Sequence, residues 1–373
     1  MIRLLSHRPR RRPFQSGFSL VELMIAVTLG LLIMTGLVAI FAKNSRARAE
    51  IELSSRQIEN GRYATAVLND DLRMAGYLSS FDPYSLIIRP LNPPLNAMVS
   101  MPDPCDTSQA NVSNSFFIAV QGIDNAATIP SCLSDVRPGS DILVIRRAST
   151  CIAGPVLDAN CDAPVSGANY YFQSSDCYKA GELYTTTPSS TDYQLHFVLD
   201  SNIANLSKHA IDCTTIANYR RFITRIYFVA NNNVESPPDG IPTLKRAELG
   251  APGATPTIVP IVDGIETLQL EYGVAATAIV DKFIGAYTTD PGTYNSCAGN
   301  ACVLNWLRTY AVKVHILARN TQASTGFVDT KAYTLGQKFD GSDNVFGPYN
   351  DSYKRHAYST TVRLLNPSGR KSP

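Results

Sequence analysis

Five histidines, His7, His196, His209, His315 and His356, are the side chains best suited to proton transfer in this 373-residue sequence, and none stands in a working motif. There is no HExxH pair for zinc, no G-x-S-x-G turn to lift a serine nucleophile, and no P-loop or G-x-G-x-x-G phosphate cradle. His315 alternates with Val314 and Ile316 along a strand-like run and reads as a solvated residue of its polar face. Asp340-Gly341-Ser342-Asp343-Asn344 sets oxygen ligands at alternate positions, as a calcium loop does. Val345 stands where that loop needs glycine and Asp351 where it needs a bidentate glutamate, so the stretch reads as a polar turn. Asp239 and Asp263, each followed by glycine, read the same way. No catalytic residue, metal site or cofactor is expected.

Cysteine supplies the next chemistry. Cys105, Cys132, Cys151, Cys161, Cys177, Cys213, Cys297 and Cys302 include no C-x-x-C, and their spacings match no zinc template. An even count fits disulfides formed in an oxidising compartment. The local pairs Cys297 with Cys302 and Cys151 with Cys161 are favoured, while the full connectivity stays open. Tyr170, Tyr171, Tyr287 and Tyr294 have the chemistry of an adhesive surface, but alternating strands also bury tyrosine, and packing is the reading preferred.

Glu22 is the most informative single residue. It opens an apolar run from Leu23 to Ala42, broken only by Thr28, Gly30, Thr35 and Gly36. Twenty helical residues span about 30 Å, the thickness of a bilayer's hydrocarbon core. A carboxylate at the centre of such a segment costs about 2.5 to 3.5 kcal/mol, less near the interface, so one that is kept there implies a partner. Arg3, Arg8, Arg10, Arg11 and Arg12 precede it and would hold the N-terminus in the cytoplasm, with everything after Lys43 on the far side. A secretory signal peptide cut near Ala39 or Ala42 is the alternative. Its apolar region is usually shorter, and a carboxylate serves no purpose in export.

The segment Gly17-Phe18-Ser19-Leu20-Val21-Glu22-Leu23 resembles the prepilin signature of type IV pilins and type II secretion pseudopilins. The resemblance implies that a membrane peptidase cuts between Gly17 and Phe18 and that Phe18 is then N-methylated. It also implies that Glu22 neutralises the amino terminus of an adjacent subunit in a fibre. Physics supports that last role, because in an apolar fibre core a staggered carboxylate and ammonium satisfy each other's desolvation cost.

From Lys43 to about Tyr77 the absence of proline and the content of Ala, Arg, Glu, Leu and Gln predict that the helix continues. Ile51, Ile58, Thr65 and Leu72, with Ser54, Gly61, Leu68 and Ala75, form a stripe that becomes more apolar toward its end, the upper part of which should pack on a sheet, and Gly76 is placed as a C-cap. Gly61 reads as a tolerated helical glycine, with a kink or close packing as the alternatives. The phrase Asp71-Leu72-Arg73-Met74-Ala75-Gly76-Tyr77 resembles the PilW group of minor pilins, relatives of the J-type pseudopilins. Residues 78–215 are loop-rich, carry six of the eight cysteines, and offer strands only at Phe116 to Gln121, Ile142 to Arg147 and Gln194 to Leu199. Residues 216–373 are more regular, with strands at Arg225 to Ala230, Ile265 to Tyr272, Tyr310 to Ala318 and Tyr358 to Leu365. Of these, Tyr310 to Ala318 should bury one face. Val262-Asp263-Gly264-Ile265-Glu266, Leu270-Glu271-Tyr272-Gly273, Leu317-Ala318-Arg319 and Tyr358 through Asn366 again resemble the PilW pattern.

The expected organisation is therefore a leader over 1–17, a membrane or fibre-core helix over 18–42, its amphipathic continuation over 43–77, and two β regions over 78–215 and 216–373. The fold class is α+β, type IV pilin-like: a long N-terminal helix packed on an antiparallel β-sheet head with disulfide-stapled loops. Apolar residues at 45% and charged ones at 17% fit a globular head and argue against wholesale disorder. The resemblance implies a minor pilin that primes type IV pilus assembly and enters the fibre near its tip, with roles in adhesion, twitching motility or DNA uptake. Its implied partners are the prepilin peptidase, the inner-membrane assembly platform, other minor pilins, the major pilin and, before assembly, the lipid bilayer. The head would start periplasmic and end extracellular. A net charge of +2 gives the nucleic-acid role no support. A type II secretion minor pseudopilin, and a periplasmic binding protein or hydrolase with a conventional signal peptide, remain as alternatives.

Overall fold

A computed structural model describes residues 17–81, 100–179, 181–182, 196–275 and 283–369. Most of the expected leader, and the first residues of the strand expected from Gln194, lie outside the described residues. The chain divides into two units, residues 1–52 and 53–373. Helix α1, Leu20–Met74, begins in the first and ends in the second.

In the first unit every described residue from Gly17 to Ala49 is exposed, the apolar run included. The two hydroxyls in that run are satisfied within the helix. Thr28 Oγ1 donates to Met24 O and Ile25 O, both at 2.9 Å, and Thr35 Oγ1 to Leu32 O at 2.8 Å. Such back-bonding lets threonine enter an apolar environment without an orphaned donor.

The second unit is built on antiparallel sheets. Strands β1 (Val120–Ile123), β2 (Ile142–Ala148), β3 (Tyr171–Ser174), β4 (Phe197–Asp200), β5 (Tyr219–Ala230), β6 (Thr243–Glu248) and β7 (Thr257–Asp263) form one sheet of seven. Strand β5 is its hub, pairing with β2 through Phe222 to Tyr227, with β3 through Tyr219 to Arg221, and with β6 through Arg225 to Ala230. The compositional break near residue 215 is therefore crossed by a single sheet. Strands β8 (Ile265–Ala275), β9 (Ile284–Thr288), β10 (Thr309–Arg319) and β13 (Arg355–Arg363) form a second sheet, ordered β13-β10-β8-β9. Strands β11 (Tyr333–Gln337) and β12 (Asp343–Phe346) make a hairpin. Among the described residues the unit also has three short α-helices: α2 (Gln109–Ser115), α3 (Asn300–Leu307) and α4 (Leu365–Gly369).

Several expectations are corrected here. Phe116 caps α2, and the strand expected from it begins only at Val120. Strand β10 is covered on both faces, because its apolar side faces the main core while the β11–β12 hairpin brings Gly336 against His315. His315 is accordingly only 9% exposed, not solvated, and its Nδ1 lies 2.8 Å from Ser359 Oγ. Tyr358 to Leu365 is not one strand, since β13 stops at Arg363 and α4 follows.

Candidate assembly interface

The bond between Gly17 and Phe18 precedes the helix and is exposed, with Phe18 at 88%. Helix α1 starts through a reciprocal cap: Ser19 Oγ accepts from Val21 N at 3.3 Å, and Glu22 Oε2 accepts from Ser19 N at 3.0 Å. This is the S-x-x-E pattern, visible in the sequence but overshadowed there by the question of a partner for Glu22. The carboxylate stands in the first helical turn, where the macrodipole favours negative charge. Only one of its two oxygens takes the Ser19 bond, and the other can receive a second donor.

At the other end of α1, the face that packs is Gln57, Gly61, Ala64, Leu68, Asp71, Leu72 and Ala75. Ile51 and Ile58, at the lower and less apolar end of the stripe, are 66% and 43% exposed. Gln57 Nε2 donates to Ala318 O and Lys354 O at 2.8 and 2.9 Å, and Asn60 Nδ2 to Asp263 O at 2.9 Å. Asp71 is buried and held by Arg147 Nε at 3.0 Å, Arg225 Nη1 at 3.1 Å and the Tyr227 hydroxyl at 2.9 Å. The helix ends at Met74. Gly76 then adopts φ +69° and donates its N–H to Arg146 O at 2.8 Å, while Asn366 Nδ2 caps Ala75 O at 3.1 Å. Residues singled out at opposite ends of the sequence thus meet where α1 docks. Gly264, with φ +75°, turns β7 into β8 against Arg319 O, which lies 2.6 Å from where a Cβ would stand.

The eight cysteines form four disulfides, Cys105–Cys132, Cys151–Cys161, Cys177–Cys213 and Cys297–Cys302. Tyr170 and Tyr171 are buried, with the Tyr170 hydroxyl donating to Thr107 O at 2.9 Å. The Asp340 turn is closed by Ser342, whose N–H and Oγ both donate to Asp340 Oδ1, at 2.9 and 2.6 Å. Histidines are dispersed: His209 Nδ1 lies 2.5 Å from Glu182 Oε1, and His356 packs edge-on to Tyr358.

Residues 226–366 match the family model described as Type IV Pilus-assembly protein W, and residues 12–38 match the prokaryotic N-terminal methylation motif. Among solved structures the chain is similar to the type IV-like pilin TTHA1219 from Thermus thermophilus, at 11% identity and a TM-score of 0.34, over 84% of this chain and 97% of that one. No curated relative matches the chain in sequence.

Proposed function

We propose that this chain, a type IV pilin of the PilW kind, is a minor pilin that primes pilus assembly and is incorporated near the fibre tip. The observation that carries the reading is the apolar run from Leu23 to Ala42: wholly exposed within its unit, helical, and for the most part within the methylation-motif match over residues 12–38. That much apolar surface requires a lipid bilayer before assembly and the helices of other pilins after it. In this reading the peptidase cuts between Gly17 and Phe18, and Phe18 is methylated. The protein then waits in the inner membrane with its head periplasmic. Glu22 keeps its bond to Ser19 N through Oε2 and accepts the amino terminus of a neighbouring subunit through its other oxygen, which sets the stagger between subunits. Other minor pilins and the major pilin are the partners, and the assembly platform moves the subunit from membrane to fibre.

Mass spectrometry of the mature N-terminus from native cells tests the processing, with N-methylated Phe18 expected. A chain starting near Lys43, or an uncut Met1, would overturn the pilin role. Glu22→Ala should leave cleavage intact and reduce incorporation into sheared pili. Unchanged fibre number and subunit content would refute the register role.

A further inference from the structure

An open cleft of about 530 Å³ lies between β1 and the segment joining β9 to α3, lined by Gln121, Asp124, Asp290, Gly292, Trp306 and Phe339 among others. A second cavity of about 290 Å³ shares Asp124, Thr289 and Phe339 with it and adds Lys338. Together they have the size of small-ligand sites. The walls are firmly built. Asn305 Nδ2 holds Pro291 O at 3.1 Å and Tyr294 O at 3.2 Å, and the Cys297–Cys302 bridge closes the same segment.

What distinguishes the cleft is its unfilled hydrogen-bonding capacity. Among the described residues Trp306 Nε1, Thr289 Oγ1 and the Tyr272 hydroxyl are buried with no hydrogen-bond partner, and these residues are only 3%, 7% and 1% exposed. A buried donor left unmade is costly, so those of Trp306 and Thr289, two residues that line the cleft, call for an explanation. Trp306 packs edge-on to Tyr272 at 4.8 Å, which brings two of the three together. Gly292 brings a carboxylate beside the indole N–H: its own N–H donates to Asp290 Oδ1 at 2.7 Å, and a Cβ there would crowd that oxygen at 2.9 Å and lie 3.4 Å from Trp306 Nε1. Asp124 lines the same cleft, its carboxyl pushed upward by burial and also by the charge of Asp290. Phe339 stands at the rim 62% exposed, an uncovered aromatic face beside these polar groups.

Each ligand class can be weighed against this arrangement. An anion would meet Asp124 and Asp290. A metal ion would meet an indole N–H and Lys338, and no group of three His, Cys, Asp or Glu side chains among the described residues is placed to hold one. A purely apolar ligand would leave the donors orphaned. A hydroxyl both donates and accepts, so a single ligand hydroxyl can give its proton to Asp290 and receive that of Trp306. A pyranose ring carries several such hydroxyls and an apolar C–H face suited to Phe339. We propose that this cleft binds a neutral saccharide, one or two pyranose residues of a surface glycan, through Asp124, Asp290, Trp306 and Phe339. The site is independent of the N-terminal assembly role and stands or falls separately from it.

The test uses the full-length processed protein in micelles of a zwitterionic detergent, since maltoside or glucoside head groups would compete. It is applied to an array of defined oligosaccharides, and the best-bound oligosaccharide is then titrated calorimetrically. Binding to a related set of neutral glycans is expected. Asp290→Asn, Trp306→Phe and Phe339→Ala should each weaken it about tenfold or more, the worth of one charge-assisted hydrogen bond or a comparable contact. Phe339→Ala alters an exposed ring and puts folding least at risk, and unchanged thermal unfolding certifies each variant. An array without a bound glycan, or equal affinity in all three variants, overturns the proposal. So does calcium binding that is lost in Asp290→Asn while no glycan binds.

Discussion

Gly61 and Asp71 show how much the docking of α1 depends on single side chains. A Cβ at Gly61 would lie 2.1 Å from Cε2 of Tyr358, so the absence of a side chain is what lets the ring lie against the helix. Alanine is the better helix former by about 1 kcal/mol, yet here the ring must give way. Gly61→Ala should therefore destabilise the head by about 1–3 kcal/mol. Combined with Tyr358→Ala, the same change should be neutral or stabilising, which a double-mutant cycle of thermal unfolding would resolve. Asp71 anchors the same helix electrostatically, buried between Arg147, Arg225 and Tyr227. Asp71→Ala leaves the half-buried Arg147 and Arg225 without this carboxylate and should cost about 3–5 kcal/mol in chemical denaturation of the micellar protein. A loss below 1 kcal/mol would show that Glu248, which already holds Arg225 at 2.8 Å, carries the charge balance by itself.

Among elements, the four-stranded sheet departs most from its sequence reading. Its second face is closed by the β11–β12 hairpin, whose Gln337 N–H donates to Glu271 Oε1 at 3.0 Å and whose Asn344 Nδ2 donates to Gln269 Oε1 at 2.8 Å. Alternation in β10 signalled one buried face, because periodicity records side-chain polarity and not what folds over it. Burial alone would raise the Glu271 carboxyl, but bonds from His315 and Lys313 outweigh it and hold the group near about 2, against an ordinary 4.5. A depressed carboxylate contributes stability above its unfolded pKa and loses it as pH falls toward the folded one. The stability gap between wild type and Glu271→Gln should therefore be full above about pH 4.5 and close toward pH 2. A gap independent of pH across that window would remove the charge from the account of this hairpin.

At the scale of the whole molecule, the disulfides divide into short clips and long staples. Cys177–Cys213 and Cys105–Cys132 close separations of 36 and 27 residues, whereas Cys297–Cys302 closes 5. In the chain-entropy model longer loops lose more freedom on cross-linking. Replacing both Cys177 and Cys213 by serine should cost about 2–4 kcal/mol, and the same change at Cys297 and Cys302 clearly less. Denaturant midpoints of the two double variants give the order. The reverse order would mean that the short bridge stabilises chiefly by holding the segment between β9 and α3 in place.

The ends of the chain were the most legible from sequence. Gly17, Phe18, Glu22 and the run to Ala42 are a local pattern, and helix formation, spanning length and the Ser19–Glu22 cap depend only on residues close in sequence. The long apolar strands β2, β5, β8 and β10 announced themselves for the same reason. Short or polar strands did not. Thr243–Glu248 has charged, helix-like composition and Thr257–Asp263 carries Pro260, yet both are strands because β5 supplies hydrogen-bonding partners to β6, and β6 to β7. The cleft beside Trp306 was equally invisible, since Asp124 and Asp290 come together only when two sheets and a disulfide-closed segment pack. Sequence by itself determined what is local: the cap, the apolar run and the strongest strands. Tertiary structure decided which strands pair, which face of α1 is buried and which polar groups are left without partners, because each is a contest between residues far apart in the chain.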